Sequence, residues 1–235
     1  MLTKSIFNSA GMNSVMDIFL PRLCASCEKK LRPSDEVICP ECLSSFKSPD
    51  KNKIAAEFRR KFEKEHLISE FASAFLFEEG KALQKLIHSS KYRGRFHNAF
   101  FLGRLTGEKL KDRILSWGCD LILPVPLHPV KKAERGYNQS YYIAKALSIT
   151  TGIPLNSKIL KRVRFTDTQT SLSIAERKDN IKGAFSLKNG AAISGRTLIV
   201  LDDVVTSGST ISECGRVLLS CGATKVYAVS AALAS

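Results

Sequence analysis

The sequence contains no apolar run approaching the roughly 18 residues that a membrane-spanning helix needs. Its N-terminus, Met1 to Leu20, breaks up its apolar residues with Asn, Ser, Gly and Asp, so the continuous apolar stretch of a secretory signal is missing as well. Both absences lead to the expectation of a cytoplasmic protein without a membrane span. There is no low-complexity tract and no internal repeat, which argues against extended disorder and against a stacked-repeat fold. Acidic residues are few beside the basic ones: 22 Asp and Glu face 36 Lys and Arg, a formal net charge of +14.

That imbalance is uneven along the chain. Between Lys81 and Arg113 there are nine basic residues against Glu108 and Asp112, and a second cluster, Lys158, Lys161, Arg162 and Arg164, contains no acid. Such a distribution attracts polyanions, either nucleic acid or a phosphorylated small molecule. A solvated surface tuned for solubility is the alternative. At 235 residues and 44% hydrophobic content, the chain suits one medium α/β domain with a small appendage.

Seven cysteines are present, and they divide into two kinds. Cys24, Cys27, Cys39 and Cys42 form two Cys-x-x-Cys pairs, whereas Cys119, Cys214 and Cys221 are scattered through apolar segments. Without a secretory signal, the clustered four read as ligands of one tetrahedral Zn²⁺ rather than as disulfides. The alternative is four reduced thiols packed in a core.

Three zones follow: a zinc-binding module over 18–46, a charged linker or solvated helix over 47–73, and an α/β domain over 74–235. Within the last, residues 81–90, 96–116, 139–149 and 209–220 carry helical spacing. Apolar runs at 119–125, 197–201 and 225–232 read as buried strands, with shorter strands near 159–164 and 184–187. Strands that are apolar throughout and separated by helices indicate a parallel sheet covered on both faces. On the helix over 209–220, Ile211, Cys214, Leu218 and Cys221 fall on one face, so both cysteines are expected in the core.

The segment from Leu198 to Thr210 carries the chemistry. A strand delivers Asp202 and Asp203 to its carboxyl end, where open α/β sheets bind ligands. Val204 and Val205 lead to a loop of Thr206, Ser207, Gly208, Ser209 and Thr210, and a helix starts at once. Backbone N–H groups, the positive end of the helix and the hydroxyls then converge, which makes a phosphate cradle. The two carboxylates suit a ribose diol, or a Mg²⁺ bridging diol and pyrophosphate. The plainer alternative is a helix cap whose acids face water.

The thirteen-residue string resembles the phosphoribosyl pyrophosphate (PRPP) motif of type I phosphoribosyltransferases. Residues from 120 onward further resemble the ComF family of competence-associated proteins, through Leu123-Pro-Val-Pro-Leu-His128, Arg135-Gly-Tyr-Asn-Gln-Ser140, and Gln169 and Leu172 leading into Arg177, Asn180, Gly183, Ala184 and Phe185. The cysteine module resembles that family's zinc ribbon. Residues 1–15 and 47–72 match nothing nameable.

The resemblance implies a type I phosphoribosyltransferase fold with an N-terminal zinc ribbon, binding PRPP with Mg²⁺ through Asp202, Asp203, Val204, Thr206, Ser207, Gly208, Ser209 and Thr210. It places pyrophosphate near Leu127 and His128, with Lys131, Lys132 and Arg135 to neutralise it, and makes residues 164–180 the loop that closes over PRPP, with Arg177 as its cation. His128 is more simply structural than a proton carrier. The chain runs about 25 residues past the phosphate loop, so a base pocket is expected either to come from residues before 120 or not to exist.

Three functions remain open at this level. One is transfer of ribose 5-phosphate from PRPP to a nitrogen acceptor. A second is DNA uptake, in which the basic 81–113 segment and the zinc module contact single-stranded DNA alongside the uptake machinery. The third is a zinc-mediated interaction module, which leaves the phosphate loop unexplained. In the second, Tyr92, Phe96, Phe100 and Phe101 would offer stacking surfaces wherever a ring is exposed.

Overall fold

The apolar runs at 121–124, 198–201 and 226–233 are buried, and the strands that contain them pair as neighbours in one sheet. The computed structural model describes residues 21–91, 94–165, 174–188 and 190–234. Its main sheet has four parallel strands in the order β1 (Phe71–Phe77), β6 (Lys225–Ala234), β5 (Thr197–Val205) and β2 (Leu121–Pro124). Register is fixed by pairs such as Phe71 with Ala228, Leu201 with Val229 and Leu121 with Leu198. Leu198 to Leu201 and Ala228 to Leu233 lie in the interior, as strands covered on both faces must.

Two apolar clusters flank the sheet. On one face, helix α4 (Phe96–Ser116) packs along α6 (Gln139–Thr151). Gly103 and Gly107 allow this closeness: a Cβ on Gly103 would lie 2.5 Å from the Ile143 carbonyl oxygen, and one on Gly107 would lie 2.8 Å from Thr150 Cβ. α3 (Ala82–Ser89) joins this layer. The opposite face is covered by α8 (Ser209–Ser220) and by α2 (Lys51–Lys61), whose Ile54 is buried there with the adjoining Phe62. The helices at 82–89, 96–116, 139–151 and 209–220 match the spacing of the sequence. α6 stops at Gly152, which sits at φ +77.

Several expectations are revised. The segment 47–72, expected as a charged linker or solvated helix, is helical over Lys51–Lys61 and buries Ile54, Glu57, Lys61 and Phe62 against the core. Its apolar residues recur at positions 54, 58 and 62, one stripe within a charged sequence. The two short strands, β3 (Leu160–Arg162) and β4 (Phe185–Leu187), do not enter the main sheet but form an antiparallel pair of their own. Cys221 is exposed, because it is the C-cap of α8 and the helical register that buries Cys214 has ended there.

The cysteine module does not stand apart. Cys24, Leu31, Ile38 and Cys39 belong to the same apolar cluster as Phe75 and Leu102. Phe46 meets Phe75 edge-on at 5.3 Å, the Leu76 amide donates to the Lys47 carbonyl at 2.8 Å, and Arg104 pairs with Glu36 at 2.8 Å. The short helix α1 (Pro40–Ser44) carries Cys42. Among the described residues, no helix is long and apolar enough to cross a membrane.

Candidate functional site

β5 runs down the middle of the sheet with Leu198 to Leu201 fully buried, and its last turn of chain turns polar. Asp202 and Asp203 are the final polar residues before the strand ends at Val205, and both are half-buried there. Asp202 accepts from the Ser140 hydroxyl at 3.0 Å and from the Asp203 amide at 2.9 Å. Burial, and then the charge of Asp203, push the Asp202 carboxyl up to about 8. Asp203 accepts from the Val204 amide at 2.8 Å.

Beyond Val205 the chain turns through Gly208 at φ +82 into α8. That left-handed turn favours glycine. Space demands it too, since a Cβ would come within 2.8 Å of the Phe62 ring. The Ser207 and Ser209 hydroxyls lie 2.9 Å apart. Asp202, Val204, Thr206, Ser207, Gly208, Ser209 and Thr210 line one cleft, joined by Val205 and Ile211, while Asp203 stands beside it. The arrangement places hydroxyls and the head of a twelve-residue helix around one small space, a setting suited to an anion.

Beneath this loop lies a residue that the sequence reading did not single out. The Lys61 ammonium donates to the carbonyl oxygen of Thr206 and, at 3.2 Å, to that of Ala234, and it pairs with Glu57 at 3.1 Å. Its side chain is only 1% exposed. Burial lowers its pKa, and Glu57 opposes that shift. With its carbonyl held by a cation underneath, Thr206 cannot turn that oxygen into the cradle.

The other expected segments gather at the same sheet edge. The Val125 amide donates to the Leu201 carbonyl at 2.8 Å, which ties the start of the Pro126–His128 loop to β5. His128 caps α5 (Pro129–Arg135) by accepting from the Val130 amide. Arg135 donates to Gln139 at 3.1 Å, and Asn138 donates to the Val125 carbonyl at 2.9 Å. Leu127 is half-buried, Lys132 is exposed, and the Lys131 ammonium stands 5.5 Å from the Phe165 ring centre. Arg162 lies over the Phe185 ring, and burial lowers its pKa while the charge of Asp202 opposes that shift. Arg177 lies in α7 (Ile174–Ile181), its side chain outside the described residues, as are Gln169, Leu172, Tyr92, Arg93 and residues 1–15.

The basic 81–113 segment is less open than its charge suggests. Arg104 pairs with Glu36 and lies over Phe101, Lys109 lies over Phe75, and Arg113 pairs with Glu70. Lys81, Lys85, Arg95 and Lys111 are exposed. Of the rings proposed for stacking, Phe101 is buried, Phe96 is stacked on Tyr142 at 4.8 Å, and Phe100 is half-buried.

The four clustered cysteines meet. Their sulfurs all lie within 4.8 Å of one another. A tetrahedral zinc with bonds of about 2.3 Å requires sulfur–sulfur edges of about 3.8 Å, and Cys27 and Cys39 Sγ stand 3.7 Å apart. The first pair is presented by a tight turn in which Glu28 is left-handed at φ +61, and the second by the head of α1. Burial raises the Cys24 thiol, but amide hydrogen bonds from Cys27, Cys39 and Ser26 outweigh it and bring it down to about 7. At Cys39 an amide bond from Cys42 lowers the thiol, yet burial and its neighbours push it up to about 12. Sulfurs this close cannot all ionise without a cation between them, which is what a metal supplies.

No family model matches the sequence. Among solved structures, the glutamine PRPP amidotransferase of B. subtilis overlaps 56% of this chain and 25% of its own, at 21% identity and a TM-score of 0.38. Competence protein ComFC of Bacillus subtilis is 23% identical over 203 residues, covering 86% of this chain and 79% of its own. The DNA utilization protein YhgH of Shigella flexneri is 32% identical over 216 residues, 87% of each chain. With its metal-ready cysteine cluster and its acid-plus-hydroxyl loop at the end of a buried parallel strand, this chain belongs to the ComF family.

Proposed function

We propose that this protein binds PRPP with Mg²⁺ at the 202–210 loop and acts in DNA uptake by handling single-stranded DNA, with Zn²⁺ on the four cysteines as a structural ion. The observation that carries the ligand reading is the pairing of two chemistries within one cleft. The hydroxyls and helix head at 206–210 suit a phosphate, while Asp202 in the cleft and Asp203 beside it suit a sugar diol. Mg²⁺ would supply charge neutralisation between diol and pyrophosphate. Asp202 and Asp203 are the residues to hold ribose or metal, and Thr206 to Thr210 those to hold the 5-phosphate. Lys132 and Arg135 stand within the segment where pyrophosphate would lie. The names of the relatives, a DNA utilization protein and a competence protein, support the DNA part of the reading, and so does the net charge of +14.

Titration calorimetry with PRPP and Mg²⁺, run beside fluorescence polarisation with labelled single-stranded DNA, tests both halves. Asp203→Asn removes a charged acceptor and is expected to weaken PRPP roughly ten- to a hundredfold. A Lys91/Arg93/Arg95→Ala variant should keep PRPP binding but flatten the salt dependence of DNA binding, by up to about 2 in log–log slope if three phosphates lose a cation. The ligand reading fails if the wild type takes up no PRPP, and the DNA reading fails if no single-stranded DNA binds at low salt. Turnover of PRPP with a nucleobase would convert the ligand reading into a transferase.

A further inference from the structure

The acid-free cluster at 158–164 has so far been given no role. In the structure it occupies β3 and the turns on either side of it, and Lys158, Lys161 and Arg164 are all exposed. Lys182 and Lys188, at the two ends of the β4 arm, are exposed too, and Lys132 faces solvent on α5 nearby. Six large apolar side chains are exposed among the described residues, and three of them belong to this surface: Val130 at 49%, Val163 at 56% and Phe165 at 43%. Apolar exposure is therefore concentrated where the positive charge is dense. Among the described residues the acids on α5 and α7 are Glu134, Glu176 and Asp179.

Phe165 is held in place from several sides. The His128 ring meets it edge-on at 5.1 Å, and the Lys131 ammonium lies 5.5 Å from its centre. One residue earlier, the Arg164 guanidinium donates to the carbonyls of Asn180 and Lys182, each at 2.7 Å, and so ties the end of β3 to the end of α7. Beneath, Arg162 lies over Phe185 at 5.5 Å. A ring this exposed on a fixed base loses little freedom when another ring stacks on it. The cation beside it stands where a phosphate flanking the stacked base would pass.

We infer that the paired strands β3 and β4 together with α5 form a stacking platform for a base of single-stranded nucleic acid, with Phe165 as the stacking ring and Lys131 as its phosphate contact. This rests on the proposal that the protein handles single-stranded DNA, and it places a base contact away from the 81–113 helices. A protein partner is less well matched, since it would need a continuous apolar area, whereas here single apolar groups are separated by like charges. A stacked base needs one ring and neighbouring cations, and both are present.

The test uses the full chain with fluorescein-labelled oligo-dT and an abasic oligomer of equal length. Wild type should prefer oligo-dT. Phe165→Ala should lose roughly five- to a hundredfold on oligo-dT, with abasic binding and the salt slope unchanged. Lys131→Ala should weaken both oligomers and lower the slope. Phe165→Trp should retain binding and show its emission quenched by oligo-dT, against the background of Trp117, which is buried against Tyr227. Equal binding of both oligomers by wild type, or an unaffected Phe165→Ala variant whose Trp counterpart is not quenched, overturns the platform and leaves the DNA proposal standing. Failure of wild type to bind either oligomer overturns both.

Discussion

Replacing Lys61 with Met keeps most of the side-chain volume and removes only the ammonium. The structure then leaves two carbonyl acceptors, Thr206 and Ala234, and one carboxylate, Glu57, without this donor. Hydrogen bonds from a charged group contribute about 1.5–3 kcal/mol each, and breaking a buried ion pair from one side costs about 3–5 kcal/mol. Both figures need reducing here. Glu57 keeps Arg60 at 2.6 Å, and the exposed Thr206 can turn its carbonyl toward water. A net loss of about 3 kcal/mol is expected, which for a chain of this size lowers the melting temperature by about 6–12 °C. A Lys61→Met/Glu57→Gln double variant should recover part of that loss, because no unpaired charge then remains inside. The second readout is inorganic phosphate affinity, expected to fall about tenfold as the freed Thr206 carbonyl swings toward the anion. A melting temperature within 2 °C of wild type, together with unchanged phosphate affinity, would refute the reasoning.

Purified protein should contain one zinc per chain, and Cys39→Ser should lose it along with thermal stability in the main domain, because the module shares an apolar cluster with Phe75; metal analysis beside a melting curve checks this. Asp202 sits about 8 in the folded protein against an ordinary 3.8, so folding takes up a proton between those values. The stability it contributes is complete below about pH 4 and is lost as pH rises through 8. Asp202→Asn should flatten that decline in urea unfolding measured at pH 5.5, 7 and 8.5. Gly208→Ala forces a side chain into a left-handed turn and against Phe62, and should cost about 2 kcal/mol while weakening phosphate in calorimetry. Phe62→Leu in the same chain should restore part of the stability.

The legible parts of the fold are those in which one local signal suffices. The helix from Phe96 to Ser116, the helix from Ser209 to Ser220 and the strand approaching Asp202 each follow from spacing or from an unbroken apolar run. The four cysteines were readable because metal ligation is written into short sequence separations. Lys61 was not, since nothing local distinguishes it among Lys51, Lys53, Arg59, Arg60 and Lys64. Its role arises from an atom 145 residues away. The stripe of Ile54, Phe58 and Phe62 did mark a buried helix face and was obscured by the surrounding charge. Ser140 reaches Asp202 only through tertiary packing. Cys221 shows the opposite error, a helical face extended one residue beyond the point where the helix ends.

The pairing of β1 with β6 also sets a timetable for synthesis. Ser73 and Ser230, which are hydrogen-bonded between the two strands, are 157 residues apart in the chain. At about 5–20 residues per second on the ribosome, the Phe71–Phe77 segment waits roughly 8–30 s for the strand that will flank it. Throughout that interval it is an apolar, aromatic-rich stretch without its partner, the kind of segment that pairs with other copies of itself. The cysteine module is made before β1 and closes through short sequence separations. Once it has taken up metal, it can set Phe46 against Phe75 and the Lys47 carbonyl against the Leu76 amide. Early closure of the module would thus shorten the time for which the Phe71–Phe77 segment lies uncovered.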